Sequence, residues 1–205
     1  MQTTQDPLIT LRNISWETYR RLLAEREEGN SRIAYCEGVL EIMTPLGEHE
    51  RNNRFLDDLI RAIADELDLN LAKFGSTTLR RDDLQKGAEP DSCYYIENEP
   101  RVRGKANIDL AVDPPPDLVI EIDITSGSLN KQALYEALGV PELWHYQKQK
   151  IQIYILQQGR YVISSRSPTF PWLPIEEILR LMDQRLIDGE TATLKAFRRR
   201  IRELT

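Results

Sequence analysis

Three carboxylates and a lysine are the residues of this chain whose types and spacing could do chemistry. Asp91 stands behind Pro90, just ahead of a short β-forming run. Glu121 and Asp123 lie two apart within residues 116–125, and Lys131 opens the segment that follows. A strand sends alternate side chains to opposite faces, so Leu118, Ile120, Ile122 and Ile124 share one face and Glu121 and Asp123 the other. Two acids side by side in an apolar strand carry desolvation and repulsion costs that a metal ion, a basic partner or water must offset. If the strands bearing Asp91 and Glu121 are neighbours, these two can share a divalent cation, with Asp123 as a further ligand. Oxygen donors and water suit Mg²⁺ or Mn²⁺, and the lack of a cysteine–histidine cluster argues against structural zinc. Such an ion lowers the pKa of a bound water and neutralises phosphate charge. Lys131 could orient or deprotonate that water, or stabilise the developing phosphoryl charge. Together these roles describe hydrolysis of a phosphodiester.

Other residues are open to two readings. Glu48 and His49 fall in the first turn of a long helix, where acids are expected from the helix dipole alone; His49 is either a base or outer ligand, or an exposed decoration. Tyr135, one turn beyond Lys131, either packs over it, binds the substrate backbone or serves as a core aromatic. His145, between Trp144 and Tyr146, reads as structural. Asp117 is expected to anchor the start of the acidic strand. Arg80, Arg81, Arg101, Arg103 and Lys105 form either a phosphate-contacting rim, which would position a backbone without reading bases, or an ordinary solvated surface. The dense basic run at 195–202 either touches nucleic acid or faces a partner subunit.

The elements that must position these groups follow from periodicity. Residues 1–14 read as a loose lead-in. Ser15 is a plausible N-cap for a helix over 16–28. The period then changes to a hairpin, 32–36 with 39–43, turning at Glu37-Gly38. A long amphipathic helix follows over 48–67, with Phe55, Leu59, Ile63 and Leu67 in one stripe. Strands are expected at 70–74 and 92–96, with 80–83 a charged turn and 97–116 an irregular excursion. The acidic strand spans 117–125. Ser128 is expected to cap a helix reaching Leu138, ended by Gly139-Val140-Pro141. Strands at 142–147, 151–157 and 160–164 come next, so that 117–146 forms a parallel strand–helix–strand unit. Helical patches at 175–182 and 192–202 close the chain.

Composition sets outer bounds. The chain has 205 residues, 40% hydrophobic and 29% charged, with a formal net charge of −6. That length fits one domain with a sizeable core. The negative charge argues against a protein that holds nucleic acid by bulk charge, though not against a local basic groove. Cys36 and Cys93 are too few for a disulfide framework. No basic region followed by an apolar run opens the chain and no stretch has membrane-spanning length, so a cytoplasmic location is expected.

Residues 33–45 (IAYCEGVLEIMTP) with His49, then Glu89-Pro90-Asp91, residues 116–122 (PDLVIEI), Lys131 through Tyr135 and residues 139–144 (GVPELW) carry a family resemblance. Over about residues 15–185 the chain resembles the Uma2 family (DUF820) of the PD-(D/E)xK, restriction-endonuclease-like superfamily. The resemblance implies a mixed α/β core of order αβββαβ, here with an N-terminal helix and hairpin and C-terminal helices from about 175. It implies Asp91 as the motif aspartate and Glu121 as the motif glutamate. The usual motif lysine would stand at Asp123; its place is expected to be taken by Lys131. Glu48 or His49 would match a polar position of the first helix. The implied activity is Mg²⁺-dependent cleavage of DNA, with a homodimer as a common assembly. The alternatives are a non-catalytic nucleic-acid- or protein-binding module that keeps the fold, and a hydrolase of smaller phosphoesters.

Overall fold

The computed structural model describes residues 7–26, 29–122 and 128–204. Strand β1 (Leu8–Leu11), helix α1 (Trp16–Glu25) and the hairpin β2 (Arg32–Cys36) and β3 (Val39–Met43) come first. Helix α2 (Gly47–Glu66) precedes four short strands: β4 (Ala72–Lys73), β5 (Leu79–Arg81), β6 (Lys86–Ala88) and β7 (Ser92–Tyr95). A one-turn helix α3 (Glu99–Val102) leads to β8 (Leu118–Ile122), helix α4 (Lys131–Leu138) and the strands β9 (Glu142–Gln147), β10 (Lys150–Gln157) and β11 (Arg160–Ser164). Helices α5 (Ile175–Asp188) and α6 (Glu190–Leu204) end the chain. The result is a mixed α/β fold.

The strands form two sheets. One is antiparallel, in order β1-β3-β2-β6-β5; the other has order β11-β10-β9-β8-β7-β4, parallel only between β8 and β9. That parallel pair, with α4 between its strands, is the strand–helix–strand unit expected from the sequence. The strict alternation of β8 decides how the layers stack. Ile120 and Ile122 join the core formed with α2, α5 and α6, among Phe55, Leu59, Ile178 and Phe197. Val119 faces the other way, into a second core with Leu134, Tyr135 and Leu138 of α4. Each such aliphatic or aromatic side chain contributes about 1.5–3 kcal/mol when fully buried, so both faces of β8 are held firmly. Glu121 shares the parity of Val119 and therefore looks toward α4.

Several sequence expectations are corrected. Leu8–Leu11, expected to be loose, pairs with β3 in register Leu8↔Met43. Helix α1 starts at its Ser15 cap but ends at Glu25. The strand expected at 70–74 shrinks to two residues, and the charged turn at 80–83 belongs to a β5–β6 hairpin. The excursion at 97–116 contains α3. Helix α4 is capped by Asn130, whose side chain accepts from the Ala133 N–H; Ser128 is employed elsewhere. Gly139 ends α4 in the left-handed region, at φ 78°, as glycine permits at low cost. The last two helices run longer than the patches read from sequence. Two basic residues of α6 turn back onto α2: Arg198 pairs with Asp65 at 2.9 Å and Glu66 at 3.2 Å, and Arg202 pairs with Glu66. Asp123 and the expected turn at 125–127 lie outside the described residues.

Candidate functional site

Pro90 has no N–H to give a ladder, and around it the chain crosses from β6 in the first sheet to β7 in the second. Asp91 lands at this crossing. The β7–β8 register, Ser92↔Ile120, sets Asp91 across from Glu121 one step further on. Asp91 is 2% exposed. Its Oδ2 accepts the Ile122 N–H at 2.7 Å and lies 3.2 Å from His49 Nε2. Its Oδ1 is buried without a hydrogen-bond partner among the described residues. Arg32 Nε, also buried and lacking a hydrogen bond, is 4.0 Å from that oxygen. The Asp91 backbone carbonyl accepts from Asn53 of α2, and Asn53 in turn accepts from the Ser92 hydroxyl.

Glu121 is 2% exposed and meets α4 directly. Lys131 Nζ donates to Glu121 Oε2 at 2.6 Å, and the Tyr135 hydroxyl donates to Oε1. The four-residue spacing puts Lys131 and Tyr135 on one helix face, so both reach the same carboxylate. Burial first, and the neighbouring Glu121 second, push the Tyr135 phenol well above its usual range, which keeps it a neutral donor. The Lys131 side chain is 24% exposed, so its amine is held at the edge of solvent. On the other side of β8, His145 of β9 is the register partner of Glu121. Neighbouring residues in a ladder share a face, so this histidine, read from sequence as structural, stands beside the acid.

Of the residues singled out in the sequence, Asp91, Glu121, Lys131, Tyr135 and His49 come together. His49 is fully buried rather than an exposed decoration, while Glu48 beside it faces solvent. The five basic rim residues do not form one free cationic surface. Arg80 and Arg81 pair with Asp82 at 3.4 Å and Asp83 at 2.6 Å. Arg103 pairs with Glu99 at 2.5 Å, and Lys105 with Asp113, whose carboxyl it holds below its usual range; Arg101 is exposed. Arg80 also lines a cleft of about 380 Å³ with Thr77, Thr78, Asn107 and Asp109. Asp117 anchors the start of β8 by accepting the Ile96 N–H at 2.7 Å and the Asn98 N–H at 3.0 Å.

Three charged residues went unassigned from sequence. Arg32 adjoins Asp91 and reaches Glu50 at 3.4 Å. Glu89 is a buried junction: it takes Arg26, the Ile33 N–H at 3.0 Å and the Thr78 hydroxyl at 2.7 Å. Glu41 lies in β3 between Leu40 and Ile42, a carboxylate among apolar neighbours. The argument applied to Glu121 would have found it.

A divalent ion finds a partial fit here. The unpartnered, buried Asp91 Oδ1 is a donor suited to Mg²⁺ or Mn²⁺. Both oxygens of Glu121 accept hydrogen bonds from α4. Among the described residues, no three His, Cys, Asp or Glu side chains form a ready metal cage. No helix among them is long and apolar enough to cross a membrane.

Comparison with known proteins agrees with this architecture. The crystal structure of "a putative nuclease belonging to DUF820" from Anabaena variabilis superposes with a TM-score of 0.54 at 17% identity, covering 82% of this chain and 99% of that one, which speaks to the fold alone. No curated protein matches the sequence significantly. Residues 16–188 match the Uma2 family, described as "Putative restriction endonuclease". That span covers most of the chain, which therefore belongs to the Uma2 family.

Proposed function

We propose that the protein cleaves phosphodiester bonds in DNA, using Asp91, Glu121 and Lys131 as its central residues and a divalent cation as cofactor. The observation that carries this reading is the hydrogen bond from Lys131 Nζ to Glu121 Oε2 at 2.6 Å, beside the unpartnered Asp91 Oδ1. The amine comes from α4 to the acid that would otherwise be followed by a lysine two residues later on the strand. The elements α2, β4, β7, β8, α4 and β9 supply the order αβββαβ, so the reading includes a restriction-endonuclease-like core. Mg²⁺ or Mn²⁺, held by Asp91 and Glu121 with Asp123 as a further ligand, would supply an acidified water and neutralise phosphate charge.

The chain's own residues have separable roles in this reading. The Ile122 N–H holds Asp91 Oδ2, with His49 close by, which leaves Oδ1 without a hydrogen bond among the described residues. Tyr135 fixes the Glu121 carboxylate by donating to Oε1. Lys131, at the solvent edge, orients the attacking water or stabilises charge on the phosphate. Arg32 offers a guanidinium N–H near the same place, suited to a phosphate oxygen.

A second reading keeps the fold and drops the chemistry: a nucleic-acid- or protein-binding module. The lack of a three-ligand cage among the described residues favours it. Two measurements separate the readings. Calorimetry with Mn²⁺ should detect binding that D91A and E121A abolish. Plasmid and single-stranded DNA should be cut by wild type in Mg²⁺ and not by D91A or K131A. Absence of metal binding and cutting in wild type would leave the binding module as the better account.

A further inference from the structure

Glu41 belongs to β3 in the first sheet, whereas Glu121 lies on β8 in the second, yet Glu41 reaches across to the start of α4. It is 3% exposed. Its Oε1 accepts three hydrogen bonds from two consecutive residues: the Ser128 N–H at 2.5 Å, the Ser128 hydroxyl at 2.8 Å and the Leu129 N–H at 2.8 Å. Thr10 of β1 approaches the same oxygen at 3.5 Å. The gripped residues lead directly into the helix. The Leu129 carbonyl accepts the Lys131 N–H at 3.0 Å, Asn130 is the cap, and Lys131 is the first helical residue.

The geometry points to Glu41 as the positioning residue for Lys131, an inference that rests on the reading of Lys131 as the site lysine. The first turn of α4 carries no acid of its own, so the carboxylate that complements its positive end comes from another sheet. A buried carboxylate that accepts several N–H and O–H bonds in one place restrains position far more tightly than an exposed cap. The restraint acts at the backbone two and three residues before Lys131. It therefore sets where the helix begins, and with it whether the amine meets Glu121 or swings into solvent. Among the described residues the hydrogen bonds of Glu41 go to Thr10, Ser128 and Leu129 and not to Asp91 or Glu121.

The test uses the full chain with E41A, E41Q and S128A, measured two ways. The first is the rate at which the Lys131 amine is acetylated by acetic anhydride, read by mass spectrometry against the other lysines. The second is kcat and KM for DNA cleavage in Mg²⁺. E41A should raise Lys131 acetylation and lower kcat by about a hundredfold, the scale on which misplacement by an ångström acts, with KM unchanged. E41Q keeps an oxygen acceptor for the two N–H groups and should restore most of both. S128A, which deletes one donor of three, should fall between wild type and E41A and serves if E41A does not fold. Acetylation and kcat that stay at wild-type values while only the melting temperature falls would overturn the inference. If wild type does not cut DNA, the nuclease reading fails separately, and the acetylation series still decides whether Glu41 places Lys131.

Discussion

Replacing Lys131 by methionine tests the central contact without reference to any activity. The amine lies 2.6 Å from Glu121 Oε2, and the Glu121 side chain is 3% exposed while that of Lys131 is 24% exposed. Removing one partner of a fully buried pair costs about 3–5 kcal/mol, because a charge is stranded. Here a quarter of the lysine side chain reaches water and Tyr135 still donates to the acid, so a charge-assisted hydrogen bond, about 1.5–3 kcal/mol, is the better scale. K131M should therefore lose about 2 kcal/mol, or about 4–8 °C in melting temperature for a chain of this size. E121Q should lose less, since the amide still accepts from Tyr135 and the lysine is partly hydrated. Urea unfolding of both variants and the double mutant in EDTA completes a cycle. A double-mutant loss smaller than the sum by about 1 kcal/mol or more means that the two groups interact. Additivity to within about 0.3–0.5 kcal/mol would refute the contact.

Three further outcomes follow from buried or paired groups elsewhere. The Tyr19 hydroxyl is buried with no hydrogen-bond partner among the described residues, so Y19F should be neutral or stabilising in urea unfolding. A Cβ at Gly87 would stand 2.2 Å from that hydroxyl, so G87A should cost about 1–3 kcal/mol, and adding Y19F should recover part of it. Burial pushes the Cys93 thiol up to about 12, so at pH 8 iodoacetamide should label half-buried Cys36 in the native protein and Cys93 only after unfolding. Hydrogen bonds from Arg202 and then Arg198 lower the Glu66 carboxyl from 4.5 to about 2. A carboxyl depressed on folding contributes stability above its unfolded value that is lost as pH falls through its folded one. Acid unfolding curves of R198A/R202A should therefore be flatter than wild type between pH 4.5 and 2.

The parts of the fold legible in sequence were those where one periodicity dominates. Alternation in 32–43 defined β2 and β3 to the residue, and the apolar stripe through Phe55, Leu59 and Ile63 defined α2. The β5–β6 hairpin was hidden because Arg80 and Arg81 are charged residues on the edge strand β5, where solvent accepts them, and because only three residues on each side pair. The Ser128 cap was a fair local reading, but a tertiary partner won: its hydroxyl goes to Glu41, 87 residues away, and Asn130 takes the capping role. The same distance problem hid the partners of Arg32, Glu41 and Glu89: Asp91 is 59 residues from Arg32, Ser128 is 87 from Glu41, and Arg26 is 63 from Glu89. Glu121 stood out for the opposite reason, since its apolar neighbours in sequence already made a buried carboxylate there costly.

Under the proposed function, the place of Lys131 on a helix changes what the chain must control. An amine two residues past Glu121 would be placed by the strand ladder that places Glu121 itself. Lys131 depends instead on how α4 docks, and α4 has only eight residues. A helix of that length is not stable from propensity alone, so its position is set by tertiary contacts. Those contacts come from separate elements: Glu41 at the residues before its cap, Tyr135 on Glu121 from its middle, and the Leu134 and Leu138 face against the core beneath. A defect in any of them would act on the amine without touching a carboxylate. Variants that free the Lys131 amine from Glu121, read as faster acetylation of Lys131, should therefore arise on β3 and on the buried face of α4, whereas variants that disturb Asp91 should cluster near His49, Arg32 and the crossing at Pro90.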